Sequence, residues 1–181
     1  MLIDFLIFFA VAYAANLALY FAGGLAILAV NARAPERRIQ TNRDGMRRAR
    51  VEILESVGSI AVTAACLAAA LTLNRHGLTL WAPLEPTVLS VLGMLALTTV
   101  VFDGWFYWMH RLLHTKPFWR FHRGHHRAIA PTVWSSDSQS GVETFLTQLF
   151  LIVATVLLPV PSLTLALHRV VDHINSQFGH A

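Results

Sequence analysis

Three long apolar runs restrict what this chain can fold into. Residues 5–30 are almost wholly apolar, broken only by Asn16 and the pair Gly23-Gly24. At about 1.5 Å per helical residue, such a run exceeds the roughly 30 Å hydrocarbon core of a bilayer. Two more runs cover residues 53–73 and 87–102. In lipid every backbone N–H and C=O needs an internal partner, so uncharged runs of this length become helices. Charged residues make up only 13% of the chain, about half the share usual in soluble domains. The expected fold is therefore all-α: one integral membrane helical bundle over residues 1–181, with about three spans. The chain opens Met1-Leu2-Ile3-Asp4 and has no basic residue before Arg33. A secretory signal needs a basic start and a shorter apolar core, so the first run reads as a retained span.

Charge orients the bundle. Residues 31–50 hold Arg33, Arg37, Arg38, Arg43, Arg47, Arg48 and Arg50 against only Glu36 and Asp44. Arg111, Lys116, Arg120, Arg123 and Arg127 follow the third run. The stretch between the second and third runs has one arginine, one glutamate, two prolines and Trp81, an expected interfacial anchor. The positive-inside rule makes both basic loops cytoplasmic and the N-terminus external, as in a bacterial inner membrane. Glu52 and Glu55 stand close enough to the first basic loop to pair with it. The arginines flank spans and lack interleaved aromatics, so no nucleic acid is expected as a partner. His76, alone in the outer turn, reads as an exposed loop histidine.

Beyond residue 144 an apolar run, 145–158, is short for a span, and Pro159-Val160-Pro161 follows it. A membrane hairpin is expected, with a second helix over 162–180. If helical, that segment spans about 27 Å, enough to return His180 to the cytoplasmic face. Cys66 is the single cysteine. It excludes an internal disulfide and a Cys-based zinc or iron–sulfur site, and reads as a small packing or lipid-facing residue.

The region 103–144 carries the chemistry. Five of the nine histidines fall between residues 110 and 126, where an even spread would put fewer than one. Residues three or four apart share a helix face. His110 and His114 can thus aim at one point, and His122 with His125 or His126 at another. Neutral imidazole is the commonest metal ligand among side chains. Asp103, Tyr107, His110 and His114 are spaced 4, 3 and 4, which predicts one stripe on a third helix continuing past the membrane surface. Asp103 there is either an acceptor that fixes a ligand's tautomer or a helix-end charge facing water. His173 and His180, seven apart, share a face; Asp103, Tyr107 and His173 are the candidates for supporting contacts. His168 lies off that face, beside Arg169 and Asp172. Lys116-Pro117 breaks the helix, and a short helix carrying residues 122–126 can begin after it. Residues 127–144 read as polar and irregular.

No His-Glu-x-x-His, Gly-x-Ser-x-Gly or phosphate-binding glycine loop is present. The imidazoles outnumber the four ligands of one tetrahedral zinc and fit two metal ions better. Imidazole alone leaves iron, zinc, copper and nickel open. Oxygen-activating iron suits the setting, because it can attack an unactivated C–H bond of a membrane-dissolved substrate. No catalytic residue beyond the ligands is expected.

The stretch from Asp103-Gly104-Trp105-Phe106-Tyr107-Trp108-Met109-His110-Arg111 to His114, with Pro117, Trp119, Phe121, His122, His125 and His126, resembles the fatty acid hydroxylase/sterol desaturase superfamily. Its pattern is D-x-x-x-Y-W-x-H-R-x-x-H followed by F-H-x-x-H-H. Residues 50–56, Glu143, Asn175 and His180 extend the likeness. The resemblance implies a membrane-bound di-iron oxygenase with His110, His114, His122, His125, His126 and His180 as iron ligands. It implies O2 and two electrons from an electron-donor protein or reductase, and hydroxylation or desaturation of a lipid, sterol or carotenoid. Two departures stand out. Where many members have His-Pro-x-Glu, this chain has Ser140-Gly141-Val142-Glu143. A further His-x-x-His-His is expected downstream, while the sequence ends at Ala181, so a truncated chain is expected. The alternatives are a non-catalytic protein retaining the family fold and a histidine-rich metal-binding membrane protein. The latter needs polar residues inside its spans, and the first three runs offer few.

Overall fold

The computed structural model describes residues 1–37 and 44–180. Arg38 and Arg43 of the first basic loop, and Ala181, lie outside the described residues. Among those described there are helices and turns but no strands. The helices are α1 (Leu2–Asn31), α2 (Ala49–Arg75), α3 (Val88–Leu113), α4 (Trp119–His122), α5 (Gly141–Leu157) and α6 (Ser162–His180). Short 3-10 turns lie at Pro35–Arg37, Gly45–Arg48, His125–Arg127 and Val133–Ser135. Leu2–Asn31, Gly45–Arg75 and Val88–Leu113 are each long and apolar enough to cross a membrane. The protein is an all-helical integral membrane bundle, as its apolar runs predict.

Local sequence sets the helix ends. Thr87, after Pro86, accepts the Ser90 N–H at 3.2 Å and starts α3. With no proline or capping glycine before residue 114, α3 runs on past residue 102 and carries His110 within the same helix. Ser140 accepts the Glu143 N–H at 3.2 Å and starts α5.

The bundle has two distinct ends. At one, the Asp4 carboxylate meets Arg75 Nε at 3.2 Å and His76 Nε2 at 3.0 Å. His76 is exposed just after α2, as expected, and its bond to Asp4 ties the start of α1 to the end of α2. At this end too, Asn74 Nδ2 donates to the Val160 carbonyl at 2.7 Å, and the Leu84 N–H donates to that of Pro159. At the other end lie the basic turn Gly45–Arg48, where Arg48 Nε stands 3.6 Å from Glu52, and the histidine region. His125 and His180 meet there with ring centroids 5.7 Å apart. The hairpin of α5 and α6 therefore leaves the histidine end and returns to it.

α2 packs between α1 and α5. Its buried Ala64, Cys66, Ala68 and Ala70 allow close approach, and Cys66 is a packing residue rather than a lipid-facing one. α1 buries a single row, Ala12, Asn16, Tyr20 and Gly24, spaced four apart as one helix face demands.

Residues 127–144 are not a solvated loop. Thr132 and Ser135 cap one another across the Val133–Ser135 turn, and Trp134 is buried against Tyr20 at 5.5 Å. The Trp134 carbonyl accepts from Tyr20 OH at 2.8 Å and Ser56 Oγ at 3.1 Å. Ser59 Oγ donates to the Gln139 carbonyl at 2.8 Å. The segment is polar because its backbone groups enter the bundle and need partners there. The spans also hold more polar structure than their composition suggests: Asn16 Oδ1 accepts from Arg169 Nε at 2.8 Å, deep between α1 and α6.

Candidate metal centre

The last turn of α3 presents His110 and His114 four residues apart, with Nε2 atoms 3.1 Å from each other. The Lys116-Pro117 break ends that helix, and α4 folds back across its tip. His122 and His126 then face the first pair, their own Nε2 atoms 2.9 Å apart. Ring centroids are 4.6 Å apart for His110 and His122 and 5.0 Å for His114 and His126. One nitrogen from each of the four lies within 4.8 Å of all the others. The two clusters thus converge on one point, not the two points that helical spacing suggested. The reversal at Pro117 brings the pairs face to face, and no pattern within either cluster encodes it.

His122 is fully buried, and its Nδ1 lies 2.8 Å from Glu143 Oε1. Burial lifts the Glu143 carboxyl to about 8; where Nδ1–H donates to it as a carboxylate, the Nε2 lone pair points at the other imidazoles. This carboxylate–histidine arrangement fixes the tautomer a metal ligand needs. The second Glu143 oxygen is buried with no partner. Burial, then the surrounding imidazoles, pushes His122 down to about 3. Burial followed by His180 pushes His125 down to about 4. These two rings are therefore neutral at pH 7, the state in which imidazole binds a metal.

His125 stands outside the four-histidine group. It faces His180, and its ring bonds the Ser138 backbone. His180 Nδ1 donates to the Ser176 carbonyl at 2.7 Å, leaving Nε2 without that proton. The pair is adjacent to the first group, with His122 and His125 stacked at 5.7 Å.

The three expected supporting residues lie elsewhere. Asp103 is exposed and makes no hydrogen bond to a histidine among the described residues, although it borders the same cavity as His110. Tyr107 is exposed, and its hydroxyl accepts from Arg111 Nη1 at 3.1 Å. The His110 ring leans instead on Phe106, at 5.6 Å. His173 is fully buried, with Nδ1 between Asp137 Oδ2 at 3.2 Å and Arg169 Nη2 at 3.1 Å. Burial raises Asp137, but the hydrogen bond to His173 and the Arg169 guanidinium outweigh it and hold that carboxyl at about 2. What the sequence did not assign is the role of Glu143 as acceptor for His122. Ser140 caps α5 and places Glu143 at its start, and only the fold sets that start beside α4.

A cavity of about 620 Å³ opens between α2, α3, α5 and α6. It reaches from His110, His125 and His180 to Thr63, Thr99 and His168.

The fatty acid hydroxylase family model matches residues 95–181, which hold all of these histidines and Glu143. The match supports membership of the fatty acid hydroxylase/sterol desaturase superfamily. Among curated proteins and solved structures, no match was found. Within this fatty acid hydroxylase domain, α3 brings the first histidine pair, α4 and the turn after it bring the rest, and α5 brings the carboxylate that orients His122.

Proposed function

We propose that the protein is a membrane-bound non-haem iron oxygenase that hydroxylates or desaturates a lipid, sterol or carotenoid-type substrate with O2. The observation that carries this reading is the convergence of four imidazoles, one of which, His110, also borders a cavity between the helices. The residues fit a metal. Nitrogens bound to one ion at about 2.1 Å sit about 3–3.4 Å from each other, close to the separations within each pair. His110, His114, His122 and His126 would hold one iron, and His125 with His180 would contribute to a second, which makes the centre di-iron. Bound iron supplies the activation of O2 that C–H cleavage requires.

The remaining work falls to the chain. Glu143 holds His122 in one tautomer and one orientation. The buried rings stay unprotonated, so protons do not compete for their lone pairs. The cavity admits substrate from the bilayer side and positions a C–H bond near His110 while limiting water. Hydroxylation puts one oxygen atom into that bond and releases the other as water, so two electrons and two protons must arrive. The electrons come from a donor protein or reductase at the cytoplasmic face, where Arg120, Arg123 and Arg127 border a recess together with His125.

Metal analysis of the purified chain tests the reading. We expect at least one iron per chain after anaerobic Fe(II) loading, and its loss in His122→Ala. Less than one iron, with none gained on loading, would overturn it; zinc retained in preference to iron would favour a metal-binding protein instead.

A further inference from the structure

The cavity has a second polar pole, away from the histidine cluster. Arg169 is 4% exposed there, yet each of its three nitrogens is already engaged. Nε donates to Asn16, Nη1 to Asp172 at 2.9 Å and Nη2 to Asp137 at 3.1 Å. Asp172 accepts in addition from Gln148 Nε2 at 3.2 Å. His168 differs from all of these. It is 4% exposed and borders the cavity. Its ring sits between Phe102 and Phe150 at 5.1 and 5.4 Å. Its Nδ1 is buried with no partner, and the ring makes no hydrogen bond among the described residues. Nδ1 has no accessible surface, so the nitrogen open to a bound group is Nε2, where a ligand can supply the hydrogen bond that the ring lacks.

We infer that this pole binds the hydroxyl group of an amphiphilic lipid and so sets which carbon lies under the histidines. The inference rests on the oxygenase reading for what happens to that carbon, but not for the binding itself. Charge selects the group. A carboxylate or phosphate would lie beside Asp172 with no free cation, since Arg169 is neutralised by two carboxylates. An ammonium would bring an unpaired positive charge into the bundle, which is costly. A hydroxyl adds no charge and can both donate to and accept from the imidazole. The distance is set by α3: Phe102 touches His168, and His110 follows eight residues later, about 12 Å along the helix. The substrate is then a lipid with a hydroxyl at one end of its bound segment and the oxidised carbon about 12 Å away.

Binding to the full chain in nanodiscs tests this, with metal content as purified and no turnover required. Cetyl alcohol, palmitate and hexadecane are the probes, read by their competition with radiolabelled cetyl alcohol for the protein, against empty nanodiscs as the blank. Cetyl alcohol should bind about tenfold more tightly than either palmitate or hexadecane, the worth of about one buried hydrogen bond. His168→Phe should remove the preference for the alcohol over hexadecane and leave hexadecane binding unchanged; His168→Gln should keep part of it. Palmitate binding as tightly as the alcohol would overturn the inference, as would an undiminished alcohol preference in a folded His168→Phe. If that variant does not fold, the alcohol-to-palmitate ratio in the unaltered chain decides alone. Iron loading can fail while the alcohol preference stands, and the reverse, so the two readings fall separately.

Discussion

Glu143 is the residue on which the geometry of the centre turns. A carboxylate 2.8 Å from His122 Nδ1 does for that ring what distance along the chain cannot: it selects the nitrogen that carries the proton. Glu143→Ala should lower metal affinity by about tenfold to a hundredfold, measured by titrating the purified chain with Co(II) and following its absorbance. Unchanged affinity would show that the ring is held by packing alone. The same burial predicts an acid response. His122 and His125 are held down at about 3 and 4, against an ordinary value of 6.5. Between about 6.5 and 4 the unfolded chain takes up two protons at these rings that the folded metal-free chain refuses, against the one that the buried Glu143 carboxyl, raised to about 8, retains, so folding weakens as pH falls through that window. Their contribution is fully present above it. Thermal unfolding of the metal-free chain should therefore shift to lower temperature between about pH 7 and pH 4.5; a flat Tm across that range would remove these rings as the cause.

At the scale of elements, the segment from residue 128 to 140 is polar and irregular, as its composition predicts, but it is built into the bundle. Its serines and threonines look like loop composition, but Trp134 wedges between α1 and α2, and its carbonyl takes two side-chain donors. α1 is shaped for it. A Cβ on Gly24 would stand 2.7 Å from the Trp134 ring, whereas one on Gly104 of α3 would meet nothing within 4 Å. Gly24→Val should destabilise the protein by about 1–3 kcal/mol through overpacking. Gly104→Ala should be neutral or stabilise by up to about 1 kcal/mol, because alanine is the better helix former. Unfolding in detergent, followed by circular dichroism, compares the two, and equal effects would contradict the wedge. The Gly23-Gly24 pair was visible in the sequence only as an interruption in an apolar run. What it makes room for lies more than a hundred residues away, beyond the reach of any local pattern.

For the whole molecule, the two ends of the bundle carry different chemistry. The basic turn after α1, the histidine region and the end of α6 lie together, and the Asp4, Arg75 and Pro159 turns lie opposite. With the positive-inside rule, the histidine end is proposed to be cytoplasmic. The buried Cys66 gives a low labelling background for a test. Lys116→Cys and Glu85→Cys place single exposed thiols at opposite ends. A membrane-impermeant maleimide should label the Glu85→Cys protein in intact spheroplasts and the Lys116→Cys protein only after lysis. The reverse pattern would invert the topology.

The three helices long and apolar enough to span, the turn between α5 and α6, and the grouping of histidines at the end of α3 were legible in the sequence. Apolar length, charge asymmetry and ligand spacing act over one helix or one turn, and each is complete within a short window. Local spacing could not say where the clusters point. His110 with His114, and His122 with His126, share one site because the chain reverses at Pro117. His125 leaves that group because the turn after α4 aims it at His180 on α6. His173, expected as a supporting contact from its seven-residue spacing to His180, is committed to Asp137 and Arg169 instead. Sequence determined which residues can bind a metal; tertiary structure decided which of them meet, because convergence depends on how helices cross and not on what each one carries.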